Sequence, residues 1–240
     1  MKRTPDLFVT IPLCALALLL AAPAAPCARQ LAAVAPGTFA ALEQEIAREI
    51  NLARTRPAEY APFLEQLRPL YTGREFRRPG GPALLTEEGV GALDEAVGHL
   101  RAARPAPPLE VSEGMCAGAA ALVKDQAGSE RTGHKGADGS FCEQRVGRFG
   151  SWAAPIGENL SYGAETARER VIALLVDDGF ANRSHRRRLL DPSFKVVGVA
   201  CGGHRLGAVC VITLAGGFTR KPAAGQRPAP ARAPAGARKY

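Results

Sequence analysis

The stretch FKVVGVACGGHRLGAVCVITLA, residues 194–215, is the part of the chain that decides the fold. Residues 194–201 and 208–215 are rich in β-branched side chains, and the six residues between them include three glycines. Two such runs around a glycine-rich turn predict an antiparallel hairpin. A third strand is predicted at residues 156–162, which read IGENLSY.

The segments before this hairpin have helical patterns. Apolar residues recur at helical spacing over residues 39–53, and further helices are predicted at about 86–104 and 112–126. The pair Thr166 and Glu169 forms a capping box that starts another helix. The Arg-, Pro- and Gly-rich residues 71–82 are predicted to be a loop. Helices first and a hairpin last predict an α+β domain, with the helices packed on a small antiparallel sheet.

Three compositional regions divide the chain. Residues 1–28 begin with two basic residues, continue in an apolar run and close with an A-x-A pattern, which predicts a cleaved secretory signal peptide. The alternative is an uncleaved N-terminal anchor, but the apolar run is shorter than the about 20 residues of a membrane span, so no span is expected in the mature form. Residues 29–218 are expected to fold as one domain. Residues 219–240, rich in Pro, Ala and Arg, are expected to form a disordered basic tail.

The charge of the chain is unevenly distributed. The chain carries 31 Lys and Arg against 23 Asp and Glu, a formal net charge of +8. Residues 219–240 hold six basic residues and no acid, and residues 1–28 add one further positive unit. The central region is therefore close to neutral, which argues against a nucleic-acid-binding domain. A hydrophobic fraction of 46% also excludes a chain that is disordered throughout.

Four cysteines lie in the predicted domain, and an exported chain reaches a compartment where they can pair. Four cysteines permit three pairings. We favour Cys201–Cys210, which flank the hairpin turn, together with Cys116–Cys142. The alternative is that one or both pairs stay as reduced, buried thiols. The predicted location of the protein is secreted or periplasmic.

Histidines in polar, glycine-containing segments are the first candidates for chemistry. His134 lies in TGHKG and His185 lies in RSHRR. Glu158 in the predicted third strand, and Asp177 and Asp178 at a predicted helix end, supply acids. Two histidines with one or two carboxylates can hold a divalent metal with an open coordination position, or they can form a hydrogen-bonded polar cluster. The spacing of these residues alone does not distinguish a metal site from a polar cluster.

Several arginines surround one of these histidines. Arg183, Arg186, Arg187 and Arg188 are all within five residues of His185. They predict an anion site at the rim of a cleft. The alternative is a solvated turn whose arginines make surface ion pairs.

Four motifs occur in order between residues 40 and 218: TGHKGADGS, GENLSYG, the DDG segment followed by RSHR, and FKVVGVA. In this order they resemble the CAP superfamily, the group of cysteine-rich secretory proteins, antigen 5 and pathogenesis-related 1 proteins. The resemblance is strongest to its simple, exported branches. It implies a three-layer α-β-α sandwich around a small antiparallel sheet.

The resemblance also implies a central cleft with two histidines and two acids. His134, Glu158 and His185 match three of these positions. The fourth is usually a Glu on the helix before the last histidine, and here we place its role on Asp178. In some members the two histidines bind zinc or another divalent cation, so His134 and His185 are the predicted metal ligands.

The function that the resemblance implies is binding rather than turnover. We expect an exported domain that interacts with a lipid, a peptide or an envelope component. The alternative is a metal-dependent hydrolase of peptide or ester bonds that uses the same cleft, with Glu158 as general base. The sequence holds no H-E-x-x-H motif, which weighs against the hydrolase.

Overall fold

The structure, a computed structural model, describes residues 36–163 and 165–221. The predicted signal peptide and residues 222–240 of the predicted tail lie outside these ranges. Thr219 and Arg220, which the sequence assigns to the tail, are the last residues of the final strand. Within the described ranges, no helix is long and apolar enough to cross a membrane.

The described residues form seven α-helices and seven strands. The helices are α1 (Pro36–Thr55), α2 (Pro57–Glu65), α3 (Val90–Ala102), α4 (Glu113–Gln126), α5 (Cys142–Gly147), α6 (Ala167–Val176) and α7 (Ser184–Leu190). The strands are β1 (Tyr71–Thr72), β2 (Glu75–Arg77), β3 (Ala83–Leu85), β4 (Glu110–Val111), β5 (Gly150–Gly163), β6 (Val196–His204) and β7 (Gly207–Arg220). The expected α+β fold is confirmed.

The main sheet has the strand order β4-β6-β7-β5. The predicted hairpin is β6 and β7, and β5 pairs antiparallel with the far side of β7. The sheet is mixed rather than antiparallel throughout, because the two-residue strand β4 runs parallel to β6. The predicted loop at residues 71–82 is wrong in part, since β1 and β2 fall there and join β3 in a small separate sheet.

Side chains alternate across the hairpin and divide the core into two sides. Val197, Val199 and Cys201 of β6 face a large apolar cluster with α1, α2, α3 and α6. Ala200 faces the opposite side, where it packs with residues of α4. Strand residues two apart share a face, so one sheet serves two helical layers and gives the three-layer arrangement.

Helix α6 begins as the sequence predicts. The hydroxyl of Thr166 accepts the backbone N–H of Glu169, and the Glu169 carboxylate accepts the backbone N–H of Thr166. This reciprocal capping box satisfies two amide donors at the helix start. The far end of α6 carries a residue of the candidate site.

One of the two predicted disulfides is confirmed. Cys201 and Cys210 are directly opposed in the β6–β7 register and are bonded, with a Cα–Cα distance of 4.2 Å. The predicted Cys116–Cys142 disulfide is wrong, since both are free thiols. The Cys142 thiol contacts the carbonyl of Gly157 in β5, whereas that of Cys116 contacts the backbone of Val199 in β6. Burial raises the pKa of Cys142 to about 12.

Removal of the Cys201–Cys210 bond should lower the free energy of unfolding by about 2–3 kcal/mol, because the crosslink restricts the unfolded chain. The test is denaturant unfolding of the Cys201→Ala/Cys210→Ala double variant. Cys116→Ala is the control, since it deletes a thiol without deleting a disulfide. Non-reducing peptide mapping should recover Cys201 linked to Cys210, and a recovered Cys116–Cys142 peptide would contradict the structure.

Candidate functional site

His134 lies on the loop between α4 and α5, and this loop is fixed by its neighbours. The Gln126 side chain donates to the carbonyl of Gly133 at 2.8 Å, and the Tyr162 hydroxyl accepts the N–H of Gly133 at 2.9 Å. Tyr162 in turn donates to Gln126 at 3.1 Å. These bonds set the backbone on the N-terminal side of His134.

Glu158 is the buried partner of His134. Its side chain is 3% exposed on β5, and Oε1 lies 3.0 Å from Nδ1 of His134. The other oxygen, Oε2, accepts a bond of 2.6 Å from Arg145. Both carboxylate oxygens therefore have a partner, and the carboxylate holds the imidazole ring through Nδ1.

Arg145 is the residue of this site that sequence reasoning missed. Its side chain is fully buried, and besides Glu158 it donates to the carbonyls of His134 at 3.0 Å and Ser140 at 2.7 Å. One guanidinium group thus neutralises the acid and closes the loop that carries the histidine. A buried charge needs such a partner. Glu158 in a predicted strand was therefore the signal in the sequence that a cationic side chain had to lie nearby.

The second histidine pairs with Asp177 rather than with Asp178. Asp177 follows α6 in the left-handed conformation, with φ 55° and ψ 42°, which Asp tolerates better than most residues. Its Oδ1 lies 2.5 Å from Nδ1 of His185, and its Oδ2 accepts the backbone N–H groups of His185 and Arg186 at 2.8 and 3.2 Å. The same carboxylate therefore orients the imidazole and caps the first turn of α7.

The prediction that placed this role on Asp178 is corrected by the geometry. Asp178 also lines the cleft, but its carboxylate accepts the backbone N–H groups of Glu87 and Glu88 at 2.7 and 2.8 Å. It fastens the segment before α3. Reversal of the chain at Asp177 turns the two neighbouring side chains in different directions.

The environment of Asp177 favours its ionised form. Burial raises the pKa of this carboxyl, but the hydrogen bonds from the His185 side chain and from the backbone of Arg186 and His185 outweigh burial, so the pKa lies below its usual value. Asp177 is thus an anion beside His185 at neutral pH.

Both histidines line one cleft, which has a volume of about 640 Å³. The walls also carry apolar side chains, of which Leu160, Leu174 and Phe180 are the largest. The Phe180 ring meets the His185 ring edge-on at a centroid distance of 4.6 Å. Within the described ranges, neither imidazole uses Nε2 in a protein hydrogen bond. A neutral ring whose Nδ1–H is bound to a carboxylate presents a lone pair at Nε2.

The arginine rim predicted around His185 is wrong for two of its members. Arg183 pairs with Glu88 and Glu95, each at 2.5 Å, and Arg186 pairs with Glu95 at 2.9 Å. Arg186 also donates to the carbonyls at the end of α6. These two side chains fasten α7 to α3 and α6, so they have no free charge for a ligand. Arg187 is exposed, and for this residue the anion site stays a prediction.

The donor set of the cleft suits a metal ion only in part. Two imidazoles held through Nδ1 by carboxylates are oriented as metal-binding histidines commonly are. Across residues 36–163 and 165–221, however, no group of three or more His, Cys, Asp or Glu side chains is arranged to hold a metal ion. Any site here relies on His134 and His185 as its protein ligands.

Comparison with known families places this cleft in context. The model of the CAP family, described as the cysteine-rich secretory protein family, matches residues 95–213. That segment contains His134, Glu158, Asp177 and His185, together with β6 and the first half of β7. This part of the chain, residues 95–213, is therefore a CAP domain.

Two further comparisons, with curated proteins and with solved structures, add little to this assignment. A search of curated proteins finds no match. Among solved structures, the chain is similar to an extracellular protein containing a SCP domain from Bacillus anthracis str. Ames, with 19% sequence identity and a TM-score of 0.35. The similarity covers 46% of this chain and 34% of that protein, so this chain matches about a third of its length.

Proposed function

We propose that this protein is an exported CAP-domain binding protein that holds its ligand in the cleft lined by His134, Asp177 and His185, with the buried Glu158 supporting His134. The observation that carries the proposal is the paired arrangement of the two histidines. Each Nδ1 is held by a buried carboxylate, and both rings line the same cavity. This leaves two Nε2 atoms as the ligand-binding atoms.

The size and lining of the cleft support binding of an organic ligand. Its volume of about 640 Å³ falls within the range of about 300–1,000 Å³ typical of small-molecule sites. Apolar walls beside two imidazoles suit a ligand that has both an apolar part and a polar group. A lipid, a peptide or an envelope component meets this description.

Export is supported by the pairing of the cysteines. A disulfide between β6 and β7 is expected to persist in an oxidising compartment and not in a reducing cytosol. The predicted signal peptide points the same way. We place the protein outside the cytoplasm, as a secreted or periplasmic protein.

A divalent cation such as zinc is part of the proposal. His134 and His185 would hold it through Nε2, and Glu158 and Asp177 would orient the two rings. Bound there, the ion would supply a Lewis-acidic centre to which an anionic or carbonyl group of the ligand can attach. Because two protein ligands are fewer than the three usual in catalytic zinc sites, about half of the four positions of a tetrahedral zinc ion would be left to water and ligand.

The hydrolase alternative receives less support from this geometry. A general base needs a carboxylate oxygen within reach of a water molecule. Both oxygens of Glu158 are engaged by His134 and Arg145, and Arg145 neutralises the charge in a buried setting. The arrangement favours a residue that positions an imidazole over one that removes a proton.

Zinc titration followed by calorimetry tests the proposed cleft. We expect saturable binding to the wild type, and none to the His134→Ala/His185→Ala double variant. Asp177→Asn should weaken zinc binding by about 10–100-fold, as loss of an orienting carboxylate commonly does. Asp178→Asn should leave the zinc affinity unchanged, because its carboxylate binds the backbone before α3.

The control for a non-specific histidine effect is His99→Ala, since His99 is exposed on α3. Melting temperatures of all variants are measured alongside, so that loss of zinc binding is compared among folded proteins. Equal zinc affinity in the wild type and the double histidine variant would overturn the proposal, as would absence of saturable binding in the wild type.

A further inference from the structure

Two arginines of α7 differ from the other arginines around the cleft. Arg54, Arg145 and Arg186 are buried, and each donates to backbone carbonyls or to a carboxylate. Arg187 and Arg188 have no carboxylate within 4.0 Å in the part of the chain that the structure describes. Within those residues, neither arginine forms an ion pair.

These two arginines line a pocket of their own. It has a volume of about 210 Å³ and lies between α7, the start of β6 and β5. Ser184, Pro155 and Phe194 complete its walls together with Asp191. The volume suits a small group rather than a whole organic ligand.

The one acid that lines this pocket is Asp191, and one of its two carboxylate oxygens is engaged by a neighbouring residue. Oδ1 of Asp191 accepts the backbone N–H of Ser193 at 2.8 Å and also the Ser193 hydroxyl. The Asp191 charge also acts on the buried Arg54, where it opposes the lowering of the Arg54 pKa by burial. The pocket therefore carries one carboxylate against two guanidinium groups, a net positive lining.

Arg188 connects this pocket with another one that shares His134 with the cleft. It also lines a second pocket of about 270 Å³, whose walls include His134, Glu158 and Phe141. Its side chain lies against Gly157 of β5, where an added Cβ would come within 3.0 Å of the Arg188 Cδ atom. Its Nη1 is 3.4 Å from the side-chain oxygen of Asn159. These contacts hold the guanidinium between the two pockets.

We propose that Arg187 and Arg188 form an anion-binding subsite that takes a phosphate or carboxylate group. Arginine binds both groups through paired N–H donors. The subsite deepens the proposed function, because its link to His134 through Arg188 makes it the place for an anionic end of the cleft ligand. Its own existence does not depend on zinc, so the two proposals fail separately.

The experiment titrates the protein with inorganic phosphate in one arm and acetate in the other, at low ionic strength, and follows backbone amides by two-dimensional NMR. We expect saturable shifts at residues 184–191 and 155–157. The Arg187→Gln/Arg188→Gln double variant should bind the anion at least about tenfold more weakly, the loss expected for one charge-assisted hydrogen bond. The matched control is Arg205→Gln, an exposed arginine of the hairpin turn that pairs with Glu130.

The two arms identify the anion, and each outcome decides the proposal. Saturation with phosphate alone assigns a phosphate group, saturation with acetate alone assigns a carboxylate, and saturation with both assigns a general anion site. No saturable shift in either arm overturns the subsite. So does an unchanged affinity in the double variant, or shifts that lie elsewhere on the protein. Zinc titration of the double variant should match that of the wild type, which separates this subsite from the histidine cleft.

Discussion

Replacing Arg145 with methionine should lower the free energy of unfolding by about 3–5 kcal/mol, the cost of removing one partner from a buried ion pair. The substitution keeps an unbranched side chain of moderate length but removes the donors to Glu158 and to two carbonyls of the His134 loop. Glu158 would then be a buried anion whose remaining partner is His134. Denaturant unfolding at neutral pH measures the change.

The control for Arg145 is its neighbour Arg148, which pairs with Asp138 at the surface. Both partners of that pair are about half exposed, so Arg148→Gln should change stability little. The Glu158→Gln/Arg145→Met double variant should recover part of the lost stability, because no unpaired charge remains buried. A loss for Arg145→Met no larger than that for Arg148→Gln would show that the guanidinium does not hold the site together.

Replacing Gly198 with alanine should also destabilise the fold, by about 3 kcal/mol, the upper part of the range for overpacked cores. Gly198 lies in β6 and faces α4. An added Cβ would come within 2.1 Å of the Met115 backbone carbon and 2.3 Å of the Cys116 backbone nitrogen. Backbone atoms cannot rotate aside as a side chain can, so α4 would have to move away from the sheet.

Gly203, in the same strand, provides the matched control. An added Cβ there meets no atom within 4 Å, so Gly203→Ala should leave stability nearly unchanged. Thermal and denaturant unfolding of the two variants give the comparison. Similar losses at both positions would contradict the close approach of α4 to β6.

Much of the fold follows from local sequence signals. The alternating β-branched residues around Gly202 and Gly203 define the β6–β7 hairpin, and the Thr166–Glu169 box defines the start of α6. Strand β4 is only two residues long and pairs in parallel with a strand about 85 residues later, and so short a segment has no period to detect. The small sheet of β1, β2 and β3 was missed for the same reason.

The candidate site was less accessible to sequence reasoning. His134, Glu158 and His185 lie in motifs, but the choice between Asp177 and Asp178 depends on a single left-handed residue that reverses the chain. The two acids are adjacent residues of the same type, so only the backbone conformation decides which of them reaches His185. Arg145 lies in a short helix whose sequence has no pattern marking it as the partner of Glu158.

Long-range pairing explains the remaining errors. Cys116 and Cys142 are both in the correct domain for a disulfide, but their thiols lie against different strands. Arg183 and Arg186 resemble a free basic cluster in the sequence, yet Glu88 and Glu95, about 90 residues earlier, neutralise them. The sequence shows that several arginines lie close together. Whether each arginine is paired with an acid depends on the segment that packs against it in the fold.

The most direct test of the paired-histidine cleft is the protonation pattern of its imidazole nitrogens, measured by long-range ¹H–¹⁵N NMR at a pH where the rings are neutral. The structure predicts that His134 and His185 carry the proton on Nδ1, against Glu158 and Asp177. Added zinc should then shift the Nε2 signals of these two histidines and leave the exposed His99 unchanged. Protons on Nε2 in either ring, or zinc shifts that fall on His99 instead, would contradict the account.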